Sequence, residues 1–267
     1  MRYLSYLLGI GAVLFLLSCG ENINKQNLNP EEYFAYAKKK FDHHKYFSAA
    51  TEFTVIVLKF SANPIVDDAQ FYLAESRFHM KEYLVAISEY QRLITDYPES
   101  PYIPEAKYKI GLCYFHMSSR PELDQEYTQK AIRAFQDFIE EYPKSKFRPE
   151  AEKFISRMRQ KLAIKKMLAA DTYRKMGVYD SAIIYYDIIL QNYYDVPLAG
   201  DAMFWKAECQ YKIKEYEKAR STFSAFISKY PSNQHVSKAK KRIKEITEIL
   251  VKTKKASEQA SNNGPKK

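Results

Sequence analysis

Apolar residues recur at helical spacing along most of this chain, with charged and polar residues between them. Residues 67–98 give the clearest example. Two small residues, Ala74 and Ala86, stand where a pair of helices would meet, and two large ones, Tyr90 and Leu93, follow Ala86 on the same face of the second helix. Small side chains let two helix backbones approach closely, and large ones fill the space toward a neighbouring pair. The segment therefore predicts two antiparallel helices joined by a short turn.

The same order of small and large residues occurs four more times. The second helix of these copies has Tyr46-Ala49-Phe53-Ile56, Thr128-Ala131-Phe135-Phe138, Tyr179-Ala182-Tyr186-Ile189 and Tyr216-Ala219-Phe223-Phe226. The first helix has one small residue in each copy, namely Ala37, Ala74, Gly111, Ala170 and Ala207. Helical hairpins repeated at this length are typical of tetratricopeptide (TPR) proteins. We predict an all-α fold, a TPR superhelix of five helix-turn-helix repeats with a C-terminal capping helix.

Two features interrupt the period. The copies begin at Pro30, Asp67, Pro104, Ala163 and Gly200, and only the interval from Pro104 to Ala163 is longer than the others. An insertion over residues 118–126 lengthens the third repeat, and a helix that starts near Pro149 meets no breaker until Gly177. We predict that this long helix divides the array into residues 30–146, with repeats one to three, and residues 147–255, with repeats four and five and the capping helix.

The first residues have the pattern of an export signal. An apolar run follows Arg2 and ends at Leu16-Leu17-Ser18-Cys19, which is too short for a stable membrane span. The last four residues resemble the bacterial lipobox. We therefore predict a lipoprotein signal peptide over residues 1–18, acylation of Cys19, and a flexible polar tether over residues 19–29. No acidic run follows Cys19, which favours a lipid-anchored location at the outer membrane, facing the periplasm.

The net charge of +10 raises the question of nucleic-acid binding, but its distribution argues against it. Residues 238–267 hold ten basic and three acidic residues, so the repeats themselves are nearly balanced. We expect no nucleic-acid partner. A solvated charged face, attraction to anionic lipid and attraction to an acidic partner all remain open for this basic segment. Residues 256–267 lack periodicity and predict a disordered tail.

The residue patterns of an enzyme or a cofactor site are missing from the sequence. Its seven glycines form no phosphate-binding run, and it contains no Gly-x-Ser-x-Gly motif. His79 and His116 occupy the same position of neighbouring repeats, but two imidazoles without a third ligand make a weak metal site. We expect no catalytic residue, cofactor, metal or small-molecule substrate.

A row of aromatic residues follows the inner, first-helix side of the first three repeats. Aromatic rings with charged residues between them suit an extended peptide that carries apolar side chains. Packing of the same rings within and between repeats is the alternative. The residues of this candidate peptide groove are Phe34, Phe41, Phe71, Phe78, Tyr108 and Phe115.

Several segments together resemble the BamD family, lipoproteins of the outer-membrane β-barrel assembly machinery. The family typically has an Asp-Gln-x-x-Thr insertion, and here Asp124, Gln125 and Thr128 match it. It also has an Arg-x-x-Leu-Ala run and a Tyr-x-x-x-Gly-x-Tyr run, which match residues 159–163 and 173–179. The likeness covers nearly the whole chain after Cys19. It departs at residues 121–123, where Pro-Glu-Leu replaces an Arg-Asp-type lead.

The resemblance implies a non-enzymatic role in inserting barrel proteins into the outer membrane. Its implied partners are a BamA-type barrel-forming subunit, bound through POTRA domains mainly by the C-terminal repeats, and unfolded β-barrel precursors, recognised by the N-terminal repeats. Asp124, Gln125 and Thr128 form a candidate partner-contact loop. Two alternatives remain open: a TPR lipoprotein scaffold for cell-wall synthesis or division, and a protein that captures a solute or glycan, although Trp205 is the single tryptophan available for such a pocket.

Overall fold

Eleven α-helices and no strand make up the part of the chain that the structure, a computed structural model, describes, residues 27–262. Successive helices form hairpins, which confirms the predicted all-α TPR superhelix. The helices are α1 (Pro30–Asp42), α2 (Tyr46–Lys59), α3 (Ile65–His79), α4 (Tyr83–Asp96), α5 (Ile103–Met117), α6 (Glu126–Glu141), α7 (Arg148–Lys175), α8 (Tyr179–Asn192), α9 (Ala199–Lys212), α10 (Tyr216–Lys229) and α11 (Val236–Asn262).

The structure has two compact units, Met1–Lys81 and Glu82–Lys267. Unit 1 contains α1 to α3, and unit 2 contains α4 to α11. The predicted signal peptide and Cys19 lie outside the described residues, so the lipid anchor stays a prediction. Within residues 27–262, no helix combines the length and the apolar character that crossing a bilayer requires.

Local sequence sets where the hairpins begin and turn. The Asn29 side chain accepts a hydrogen bond from the Glu32 amide at 2.8 Å, and the Glu32 carboxylate accepts one from the Asn29 amide at 3.1 Å, which starts α1. At the fifteenth position of four repeats the backbone turns into the left-handed region, which ends the first helix. These residues, with their φ angles, are His44 (58°), Lys81 (63°), Gly177 (78°) and Lys214 (65°).

The third repeat differs at this same position. There Ser118 is extended, with φ −68° and ψ 119°, and the chain leaves α5 into the insertion instead of turning directly into the next helix. The extended conformation of Ser118 therefore marks the point where the insertion begins.

The predicted small and large positions form the core. In unit 2, Ala131, Phe135 and Phe138 of α6 are fully buried. A Cβ atom added to Gly111 of α5 would lie 2.6 Å from the ring of Phe135, which shows how closely the two helices approach. Burial of each of the two phenylalanine side chains contributes about 1.5–3 kcal/mol to folding.

The long helix α7 joins its neighbours rather than separating them. Its first half packs on α6, where the rings of Phe154 and Phe135 stack at 5.4 Å, and its second half packs on α8, where Tyr173 and Tyr185 stack at 5.5 Å. Unit 2 is consequently continuous through residue 147, and the boundary between the compact units lies at Lys81. The predicted division at residue 146 does not coincide with it, because both halves of α7 are part of one packed core.

The last helix extends beyond its predicted end. Its apolar residues pack on α10 as expected of a capping helix, with Ala239 and Ile246 fully buried. It then continues to Asn262, so the boundary of the predicted disordered tail is corrected for residues 256–262, while 263–267 lie outside the described residues. Ala256, Glu258, Gln259 and Ala260 are good helix formers that need no buried face, which explains the extension.

Candidate binding surfaces

Unit 1 presents a cluster of partly buried rings on the side formed by α1 and α3. Phe41 lies at its centre, with its ring centroid 5.3 Å from that of Tyr72 and 5.5 Å from that of His79. Phe34 packs on the other edge of Tyr72 at 5.8 Å, and Tyr46 stacks on His79 at 4.6 Å. We call these five residues, Phe34, Phe41, Tyr46, Tyr72 and His79, the aromatic surface of unit 1.

A cation lies over this surface. The Lys38 ammonium is 4.9 Å from the ring centroid of Tyr72 and 5.6 Å from that of Phe41, and it also pairs with Asp42. A cation over an aromatic face is attracted by the ring quadrupole. The surface therefore offers apolar area together with an ion pair, Lys38 with Asp42.

The structure separates the six predicted groove residues into two groups. Phe34, Phe41, Phe78 and Phe115 are partly buried and keep part of their rings accessible. Phe71 and Tyr108 are only 4% and 3% exposed, so they belong to the core and the prediction that they line a groove is corrected.

Tyr108 shows the reason for this burial. Its ring stacks on that of Phe147 at 4.7 Å and packs on Phe135 and Phe138 at 5.7 Å each. Burial, together with a hydrogen bond to Glu150, raises the pKa of Tyr108 far above its usual range. The Tyr108 side chain is therefore part of the core, where both its ring and its hydroxyl group have partners.

Sequence reasoning missed three members of the aromatic surface, Tyr46, Tyr72 and His79. The spacing of Tyr72 and His79, seven residues apart on α3, places them on one helix face and could have indicated them. His116 in unit 2 repeats the arrangement of His79, because it stacks on Tyr83 at 5.1 Å as His79 stacks on Tyr46. The described residues contain no group of three or more potential metal ligands.

In unit 2 the insertion is held together by the candidate partner-contact residues. The Gln125 amide donates to the carbonyl oxygens of Arg120 at 2.7 Å and Leu123 at 3.0 Å, and its own oxygen accepts from the Thr128 hydroxyl at 2.7 Å. Asp124 accepts from the Glu126 amide at 2.8 Å, a local turn immediately before α6. Gln125 is 5% exposed and Thr128 fully buried, so the hypothesis that these two side chains contact a partner is corrected to an internal, loop-closing role.

Two lysines of α7 fasten the closed loop to the long helix. Lys161 donates to the Ser118 hydroxyl at 2.7 Å, and Lys165 donates to the Leu123 carbonyl at 2.6 Å. Burial, with a smaller contribution from the charge of Arg157, lowers the pKa of Lys161. The loop is therefore an ordered ridge along α7.

A groove of about 370 Å³ lies between this ridge, α7 and α8. Leu168, which is 42% exposed, is the large aliphatic side chain of its lining, and Leu123, which is 51% exposed, follows the lining residue Glu122 in the insertion. We call it the loop groove, and its lining residues are Pro121, Glu122, Lys165, Lys166, Leu168, Ala169, Thr172 and Tyr185.

Hydrogen bonds from Arg159 of α7 hold the connection between α8 and α9 against that helix. Arg159 donates to Asp195 through Nε at 2.9 Å and through Nη2 at 2.5 Å, and to the Asn192 carbonyl at 2.7 Å. These hydrogen bonds lower the pKa of Asp195. Arg159 and Leu162-Ala163 form the Arg-x-x-Leu-Ala run, and the arginine of that run thus holds the connection between α8 and α9.

Comparison with known proteins identifies a family that the chain matches. Residues 26–221 match the model of the YfiO family, described as outer membrane lipoprotein. No curated protein is significantly similar to the chain in sequence.

Among solved structures, the TPR2AB domain of yeast Sti1 in its pHSP90 complex is similar with a TM-score of 0.45 and 16% identity, covering 86% of this chain and 87% of that one. A tetratricopeptide repeat protein of Parabacteroides merdae gives a TM-score of 0.36 at 14% identity over 89% and 80% of the two chains. A thermophilic TPR protein of Thermus thermophilus gives 0.35 at 12% identity over 82% and 99%.

Proposed function

The chain belongs to the YfiO family of outer membrane lipoproteins, the BamD type, and we propose that it acts at the outer membrane by binding both a BamA-type barrel-forming subunit and unfolded β-barrel precursors. The role is non-enzymatic: the protein holds its partners while barrel proteins are inserted into the outer membrane. In this proposal, acylated Cys19 anchors the chain at the periplasmic face of that membrane.

The observation that carries the proposal is the loop groove. Its ridge is closed by the internal hydrogen bonds of Gln125 and fastened to α7 by Lys161 and Lys165, so binding a folded domain would order few additional groups. The exposed side chain of Leu168 supplies apolar area in the groove, Leu123 adds an exposed apolar side chain in the insertion, and Lys165, Lys166 and Glu122 supply charges. A rigid surface of this composition fits a POTRA domain better than an unfolded segment.

The aromatic surface of unit 1 supports the second part of the proposal. Its rings are held by one another while part of each remains accessible, so little side-chain entropy is lost on binding. Lys38, paired with Asp42, adds an ion pair beside Phe41 and Tyr72. An unfolded segment with aromatic side chains fits this surface.

Replacing Leu168 with glutamate should weaken binding of the barrel-forming subunit. The glutamate replaces an apolar contact with a charge that must be desolvated when the partner docks, and a pair with Lys165 on the same helix does not repay that cost in full, so we expect a loss of about 2 kcal/mol, or roughly thirtyfold in the dissociation constant. The measurement is titration of the purified POTRA domains with wild-type and Leu168→Glu protein.

Leu58→Glu is the matched control for that experiment. Leu58 is 76% exposed on α2 of unit 1, outside the loop groove, so its variant should bind POTRA domains like the wild type. Equal loss of affinity in both variants, or no loss in Leu168→Glu, would count against docking at the loop groove. An absence of POTRA binding by the wild type itself would favour a scaffold role in another envelope process.

Replacing Phe41 with alanine should weaken binding of a peptide taken from a barrel precursor that ends in an aromatic residue. Phe41 contacts three other rings of the aromatic surface, so its loss removes apolar area at the centre, with an expected effect of about tenfold in affinity. Phe47→Ala, which removes a 70% exposed ring from α2, is the control. Unchanged peptide affinity in a folded Phe41→Ala protein would contradict the proposed site.

A further inference from the structure

The outward side of α11 is a continuous cationic face. At 100° per residue, five lysines fall on the side opposite the buried Ala239 and Ile246, and all five are exposed. Glu248 is the one exposed carboxylate among them in the described part of the helix. We call this set, Lys240, Lys241, Lys244, Lys252 and Lys255, the lysine face.

The lysine face keeps a net positive charge within the described part of the chain. At its border, Arg242 pairs with Glu208 at 2.9 Å and with Glu245 at 2.6 Å. None of the five ammonium groups forms an ion pair with another described residue. Five ammonium groups against the single carboxylate of Glu248, which is four residues from both Lys244 and Lys252, leave this helix side positive and open to an anionic surface.

The shape of the lysine face is long and open. From Lys240 to Lys255 it extends roughly 22 Å along the helix axis, at 1.5 Å per residue. A shallow groove of about 560 Å³ runs along it and is lined by α11 alone, with Val251, 49% exposed, between the stems of Lys244, Lys252 and Lys255. No aromatic side chain lines this groove, and no second helix closes it.

We propose that the lysine face binds the surface of a bilayer that contains anionic phospholipids. Lysine stems extend their methylene groups over apolar material while the ammonium groups reach phosphate oxygens, and Val251 would face the boundary between headgroups and acyl chains. Attraction of this kind needs charge density but no complementary shape, which matches an open helix side without pockets for a specific partner. An acidic protein would be expected to meet shape as well as charge.

This proposal does not rest on the assembly role. It needs only that the protein works beside a membrane, as a family of outer membrane lipoproteins does. The lysine face lies in residues 240–255, beyond the range 26–221 that matches the family, so it is argued from the residues of this chain alone. Together with a lipid on Cys19 it would give the protein two membrane contacts, and two weak contacts bind far more firmly than one.

The test is co-flotation with vesicles of the chain that starts at residue 20. This chain lacks the predicted leader and the acylated cysteine but keeps all described residues, and the core clusters of both units are complete within it. The vesicles contain equal parts of phosphatidylcholine and phosphatidylglycerol, or phosphatidylcholine alone. The variant is Lys240→Gln, Lys244→Gln, Lys255→Gln, and the charge-matched control is Lys144→Gln, Lys153→Gln, Lys175→Gln, which removes three exposed lysines from other parts of unit 2.

We expect the wild type and the control variant to float with anionic vesicles, to remain unbound with neutral ones, and to be released by salt. The lysine-face variant should bind at least about tenfold more weakly, because each basic side chain near an anionic surface adds to the attraction. Equal binding by the lysine-face and control variants, or no binding of the wild type, would overturn the proposal. So would failure to bind vesicles combined with a salt-sensitive complex with polyglutamate, which would indicate an acidic protein as the partner.

Discussion

Phe135→Ala should lower the free energy of unfolding of unit 2 by about 3–5 kcal/mol. The ring is fully buried, stacks on Phe154 of α7 at 5.4 Å, and packs on Tyr108 of α5 at 5.7 Å. Its removal leaves a cavity among rigid rings that cannot collapse into it, so the lost transfer energy and the cavity energy add. Because Phe135 connects three helices, the effect should extend to the position of α7 and to the ridge that lies along it.

Two measurements check this prediction. Denaturant unfolding gives the stability, and hydrogen exchange of the amides in α5 to α7 shows whether the loss is confined to that part of unit 2, since helical repeats need not unfold together. Phe47→Ala removes the same side chain from a 70% exposed position and should cost less than about 0.5 kcal/mol. If the two alanine variants were equally stable, the central role of Phe135 in the core would be refuted.

Arg242→Met should destabilise the protein by about 3–5 kcal/mol, because it leaves one charge of a largely buried pair without its partner. Arg242 donates to Glu208 through Nε at 3.1 Å and through Nη2 at 2.9 Å, and the Glu208 side chain is only 9% exposed. The guanidinium also lies 4.2 Å from the ring centroid of Tyr211. Methionine keeps part of the apolar contact but none of the hydrogen bonds, so the stranded carboxylate accounts for most of the cost.

The double variant Glu208→Leu, Arg242→Met separates this cause from a simple loss of packing. Removing the carboxylate as well should restore most of the stability, since a buried ion pair is often no better than an apolar pair of similar volume. Arg220→Met is the surface control: Arg220 pairs with Glu217 at 2.8 Å, but both side chains are well exposed, so the change should cost at most about 1 kcal/mol. Two outcomes would contradict this account: a loss of stability in Arg242→Met no larger than in Arg220→Met, or no recovery of stability in the double variant. Either would show that leaving Glu208 without its partner is not the main cost.

Much of the fold could be predicted because each repeat encodes it locally. The positions of Ala131, Phe135 and Phe138 follow from a helical period that needs no knowledge of distant residues, and all three are in the core. The start of α1 follows from Asn29 and Glu32, which form a capping box. The end of α11 was less predictable, because a helix that buries little continues through favourable residues without a periodic signal.

The candidate sites were predicted only in part. Helical spacing places Phe71 and Tyr108 on the same side of their helices as Phe34, but spacing cannot distinguish a ring at the edge of a surface from one inside the core. Gln125 and Thr128 lie in an insertion and are polar, which is typical of an exposed contact loop. They face inward because the insertion has backbone carbonyls that need donors, and the Gln125 amide supplies them.

The sequence by itself determined the repeated hairpins, the small residues at helix crossings, and the long helix between the third and fourth repeats. These depend on interactions within one segment of chain, so local order suffices. Only the tertiary structure decided which rings are accessible, how the insertion closes, and which charges are paired. The pairs Arg159 with Asp195 and Arg242 with Glu208 join residues more than thirty positions apart, in different helices or connections. Their geometry depends on how neighbouring helices pack, and no local pattern specifies that packing.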